Sequence, residues 1–141
     1  MNVLQIRNGI IASLLRSYPD LPVYGEKIRQ NFSEPCFFIS ALNSTIRKEI
    51  GSRYRFGAEF EVQYFPPKCL KTNEELYKAG EALIPALSDA ETEDGAIRPK
   101  SVRYAVKDGV LHFYLSFTWF ALEDMGSAPG ISEIKTEVRN G

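Results

Sequence analysis

Apolar residues recur every three or four positions near the start of the chain, where Val3, Ile6, Ile10, Leu14 and Tyr18 form one stripe with Ile11 and Leu15 beside it. That period predicts an amphipathic helix over residues 3 to 18 with one face on a core. The segment SYPDLPVYG ends it, because Pro19 and Pro22 each disfavour helical geometry at the preceding residue. A short extended piece is expected from Val23 to Arg29. The run CFFISAL at 36–42 is apolar on both faces and too short for a helix, so it predicts a buried strand. NSTIRKEIGS, 43–52, is polar with a terminal glycine and reads as a long hairpin connection or one helical turn.

The period then becomes two. Tyr54, Phe56, Ala58, Phe60, Val62 and Tyr64 alternate with Arg55, Gly57, Glu59, Glu61 and Gln63, as in a strand with one buried and one wet face. Pro66 and Pro67 can donate no ladder bonds and stop the pairing. Thr72-Asn73-Glu74-Glu75 has the form of a capping box, and Leu76, Ala79, Leu83 and Leu87 follow at helical spacing. Pro85 would cost about 3 kcal/mol in a helix interior, which predicts a kink or an early end there.

Asp108-Gly109 suits a two-residue type I′ hairpin turn, whose central positions both need positive φ. With those two residues as the loop, Lys107 faces Val110, Val106 faces Leu111, Tyr104 faces Phe113 and Val102 faces Leu115. Arg103 then lies opposite Tyr114, and Ala105 opposite His112, on the other face. The strand of 110–122 outruns its partner, with Phe117, Trp119 and Ala121 continuing the inward set, so another element must cover the overhang. Together these elements predict a single α+β domain over 1–123, an antiparallel or mixed sheet with two main helices on one face. GSAPGISEIKTEVRNG carries little pattern, and 124–141 is expected to be a flexible extension.

Composition narrows the functional classes. The chain has 141 residues, 44% of them hydrophobic, enough for one core without staples. Its 17 basic and 18 acidic residues leave a net charge of -1, which does not suit direct nucleic-acid recognition. No apolar run reaches the roughly 20 residues of a membrane span, and GIIASLL lacks the cleavage pattern of a signal peptide. Cys36 and Cys69 are too few for a disulfide framework or a zinc site and are expected to be reduced and buried. Asn31-Phe32-Ser33 and Asn43-Ser44-Thr45 match the glycosylation sequon, which has meaning only in a secreted protein and is read as chance.

Little in the chain suggests catalysis. His112, the single histidine, is expected on an outward strand face as a solvated or interface residue, and Cys36 as a small buried one. Glu59 and Glu61 share a face but have no further acid or histidine tied to them by spacing, so a solvated or salt-bridged sheet face is the simpler reading. There is no phosphate loop and no HExxH, and neither cofactor nor metal is expected. Arg47, Lys48, Arg53 and Arg55 make a small basic cluster around the 43–53 segment.

The order of these elements resembles the tail terminator family of phages and prophages of Gram-positive bacteria. The residues that carry the likeness are Tyr18-Pro-x-x-Pro-Val-Tyr-x-Glu26, Gln30-x-Phe32-x-x-Pro35-Cys36-Phe37-Phe38, Arg53-Tyr54-Arg55 and Tyr64-Phe65-Pro66 at the two ends of the long strand, and Asp108-Gly109-Val110-Leu111-His112-Phe113. The likeness runs over about residues 1 to 122. It implies a non-enzymatic subunit of a hexameric ring that caps the tail tube, ends its polymerisation and joins the connector beneath the capsid. The implied partners are further copies of the chain, the tail tube protein and head-tail connector proteins, with contact to a sheath left open. The implied location is the neck end of the virion tail, and the host cytoplasm during assembly. Arg47, Lys48, Arg53, Arg55, Glu59, Glu61 and Gln63 are then the expected subunit or tube contacts. Two other readings compete: a connector-completion or tube subunit, and a small enzyme or ligand-binding domain whose pocket gathers His112, Glu59 or Glu61.

Overall fold

The first helix is fixed by chemistry at both ends. In α1, Val3–Ser17, the Asn2 side chain accepts from the Gln5 amide at 2.9 Å and the Gln5 side chain accepts from the Asn2 amide at 3.0 Å, a complete capping box. Ile6, Ile10 and Leu14 point into the core, and the helix stops before Pro19. The computed structural model describes residues 1–25, 33–70, 72–123 and 134–137. Of the extended piece expected up to Arg29, Val23–Tyr24 forms strand β1; residues 26–32, with the Asn31 sequon, lie outside the described residues.

The main sheet contains β1, β2 (Cys36–Lys48), β3 (Arg53–Phe65), β6 (Ser101–Lys107), β7 (Val110–Glu123) and β8 (Ile134–Glu137). Its order is β1-β2-β3-β7-β6, with β8 also paired to β7. The β1–β2 pair is parallel and the others antiparallel, which makes the sheet mixed. Two three-residue strands, β4 (Ala90–Thr92) and β5 (Gly95–Ile97), form a separate hairpin against α1 that the sequence pattern did not reveal. Phe37, Ile39, Phe60, Val62, Leu111, Phe113 and Leu115 of the sheet meet Ile6, Ile10 and Leu14 of α1 and Leu76 and Leu83 of α2 in one core. The fold is α+β, with both helices on the same face.

Helix α2, Asn73–Ala86, starts as expected at Thr72, whose hydroxyl accepts from the Glu75 amide at 3.2 Å. The reciprocal half of the expected box is replaced by an ion pair, Glu75 to Lys78 at 3.6 Å. Pro85 falls in the last turn, and the helix ends one residue later, the early end expected from that proline. The Asp108-Gly109 turn has φ of 53° and 73°, and every residue pair expected from it is present. Only the β7 member of each inward pair is fully buried, because β6 is the sheet's outer strand and leaves Val102 exposed.

One expectation about a strand end is corrected. Residues 43–48 are a strand, not a connection: β2 runs to Lys48 and pairs with β3 up to Tyr54, so only 49–52 turn the chain. The ladder absorbs one extra residue, Leu42, between the Ala41↔Phe60 and Asn43↔Glu59 pairs, a β-bulge. The β7 overhang is flanked by β3 along its length on one side, and on the other Phe120–Glu123 pairs with β8. Thus four residues of the segment expected as a flexible extension form a strand, while 124–133 and 138–141 lie outside the described residues. Cys36 is buried as expected, whereas Cys69 is exposed on a short 3-10 turn, where no core residue covers it.

Candidate functional site

Register decides which side chains meet on the outward face of the sheet. Because β3 lies between β2 and β7, Gln63 is opposite both Phe38 and His112, Glu61 opposite Ser40 and Tyr114, and Glu59 opposite Asn43 and Ser116. Glu61 is the hub. Gln63 donates to it at 2.8 Å, His112 Nδ1 lies 3.1 Å from its other oxygen, and the Tyr114 hydroxyl also bonds it. An ionised carboxylate only accepts, so His112 carries a proton on Nδ1 toward Glu61. Burial pushes the Glu61 carboxyl upward, but these hydrogen bonds and the histidine charge outweigh it and hold the group below its ordinary range. Burial and the same carboxylate push the Tyr114 phenol up. The Arg103 guanidinium stacks 3.9 Å over the Tyr114 ring.

His112, expected as a solvated or interface residue, is part of this network, its side chain 20% exposed and that of Glu61 13%. Ser116, on the same face, donates to Glu59 at 3.5 Å rather than to the imidazole. A hollow of about 120 Å³ borders Glu61 and Gln63, with neither His112 nor Glu59 in its lining. Among the described residues no group of three His, Cys, Asp or Glu side chains could hold a metal ion.

The basic residues lie toward the β2–β3 turn. Arg53 sits 4.0 Å and Arg55 5.8 Å over the Phe120 ring, and the Nε atoms of both are buried with no hydrogen-bond partner among the described residues. Arg47 is directly opposite Arg55, two like charges in one register pair. Lys48 pairs with Tyr54 and so belongs to the helix side of the sheet, apart from the other predicted residues. The outward face of β3 is therefore divided: Arg53 and Arg55, with Arg47, at the turn end, then Glu59, Glu61 and Gln63. The expected residues are brought together as two groups of opposite charge along one strand, with Lys48 excluded.

Two further features escaped sequence reasoning. A cleft of about 240 Å³ opens between the end of α1, the sheet and α2, lined by Tyr18, Phe37, Tyr64, Leu76, Ala79 and Leu83, with Pro66, Glu75 and Lys78 also bordering it. Burial pushes the phenols of Tyr18 and Tyr64 up, so both line it as neutral hydroxyls. At the other end of β3 the hairpin projects apolar surface, with Ile50 99% exposed and Ile46 68%. An isoleucine in a polar turn was the one signal available for the second; nothing local marks the first, because four elements build it.

No helix among the described residues is long and apolar enough to cross a membrane. No curated protein matches the chain. The model of a family described as phage tail terminator protein matches residues 5–128, most of the chain's length. The chain belongs to the phage tail terminator protein family.

Proposed function

We propose, on the premise of that membership, that the chain is the subunit of a ring, hexameric as the family resemblance implies, that caps the tail tube, ends its polymerisation and offers the surface joined by the head-tail connector. The family match over residues 5–128 carries this reading. The division of charge along β3 supports it, since a basic group and an acidic group on one face suit a head-to-tail contact between identical copies. Such contacts close into a ring when the rotation between copies permits. Its partners are further copies of the chain, the tail tube protein and the connector, and its role is structural rather than enzymatic, in the virion tail. The 1–123 unit is the ring-forming domain in this reading, with 124–141 as its C-terminal extension, of which Ile134–Glu137 pairs with β7.

Light scattering combined with negative-stain microscopy, on the protein alone and on purified tail tubes, tests the proposal. The expected result is a closed ring, free or seated on tube ends. A protein that stays monomeric and binds no tube end removes it. Polymerisation into tubes by the protein alone favours a tube subunit instead.

A further inference from the structure

The cleft and the exposed hairpin tip lie at opposite ends of the same strand. Tyr64 borders the cleft, Tyr54 pairs with the last residue of β2 before the turn, and ten residues of strand separate them by roughly 33 Å. A single copy cannot bring them together. Yet each suits the other. At about 240 Å³ the cleft is smaller than the roughly 300–1,000 Å³ typical of small-molecule sites, but it has room for an apolar side chain or two. Ile50, 99% exposed with Ile46 close by in the same hairpin, is an apolar knob with no cover of its own. Their charges are also complementary. On the helix side of the sheet the tip carries Lys48, while Glu75 at the rim of the cleft and its neighbour Glu74 share one lysine, Lys78, at 3.6 and 3.7 Å.

We propose that the occupant of the cleft is a second copy of this chain, which seats the β2–β3 hairpin tip with Ile50 between Tyr64 and Ala79. The contact is heterologous: every copy offers one knob and one socket, and none is self-paired. Repetition gives a chain of subunits that closes when the last knob meets the first socket. The Tyr18 and Tyr64 hydroxyls at the socket supply partners for the polar backbone of the incoming turn. The inference rests on the ring reading and names the contact that would build it.

The test replaces Cys69, the exposed cysteine, with serine, then makes Ile50→Cys in one preparation and Ala79→Cys in another. Mixed under mild oxidation, with and without purified tail tubes, the two should give a covalent dimer that neither gives alone. A chain carrying both should give a ladder of covalent oligomers. As a second measurement, Ile50→Asp should melt like the parent, since the side chain touches little, and should weaken self-association by about tenfold or more. If the parent assembles, no cross-link forms and Ile50→Asp assembles as well as the parent, the knob and socket are wrong and the ring stands. If the parent itself neither assembles nor binds tubes, both readings fall.

Discussion

His112 Nδ1 lies 3.1 Å from Glu61 Oε2, joining β7 to β3 on the outward face of the sheet. Glu61 also accepts from Gln63 and Tyr114, and its carboxyl is held below the ordinary glutamate range. A group whose pKa is depressed by folding contributes stability above its unfolded value, about 4.3, and loses it as pH falls through the folded value. Glu61→Gln should cost about 1–2 kcal/mol at pH 7. In thermal melts the gap to the parent should narrow from pH 5 downward, where the parent protonates too. A gap of constant size across that range would show that the charge of Glu61 contributes nothing.

Gly9 lies inside α1 against the β4 strand, and a Cβ there would stand 2.7 Å from the backbone oxygen of Glu91. Alanine should help the helix itself by about 1 kcal/mol. Overpacking against a backbone atom, which cannot rotate away, typically costs 1–3 kcal/mol. Gly9→Ala should therefore lower the melting temperature despite its better helix propensity. Equal or higher melting would mean that the β4–β5 hairpin moves aside freely.

At the type I′ turn, Gly109 has φ of 73° and Asp108 φ of 53°. An L-residue with a Cβ in that left-handed region costs roughly 1–2 kcal/mol, and Asn and Asp bear it best. Denaturant titration should find Gly109→Ala destabilised by about 1 kcal/mol and Asp108→Asn within about 0.5 kcal/mol of the parent.

Arg47 is exposed and directly opposite Arg55, so Arg47→Glu turns a like-charged pair into an opposite one. Such pairs are worth a few tenths of a kcal/mol, so the variant should be at least as stable as the parent. If the basic end of the outward face meets the acidic end of a neighbour, ring assembly should weaken all the same. Sizing beside thermal melts separates the two effects, and unchanged assembly would take Arg47 out of the contact.

The fold was legible wherever the signal was local. Asp108-Gly109 fixes its own backbone geometry, and from it the whole β6–β7 register is determined; the alternation of Tyr54 to Tyr64 with charged residues likewise names its own buried face. The second half of β2 was not legible because 43–48 are exposed on both faces, leaving no apolar alternation to read. That half is a strand because β3 holds it there. The site was legible in part: the outward residues of β3 were identified, but that His112 meets Glu61 depends on β3 lying beside β7, a pairing between segments nearly fifty residues apart in sequence. The cleft depends on four elements at once.

The bulge at Leu42 divides β2 into two reading frames. Before it, odd-numbered residues such as Phe37 and Ile39 face the helices; after it, even-numbered residues such as Ser44 and Ile46 do, because they pair with Ala58 and Phe56. In a regular strand, losing one residue would turn every later side chain over. Here, removing Leu42 would bring Ala41 and Asn43 into consecutive pairs and leave all the others as they are. A Leu42-deleted chain should thus keep its fold, and related chains that differ by one residue in this strand should differ here.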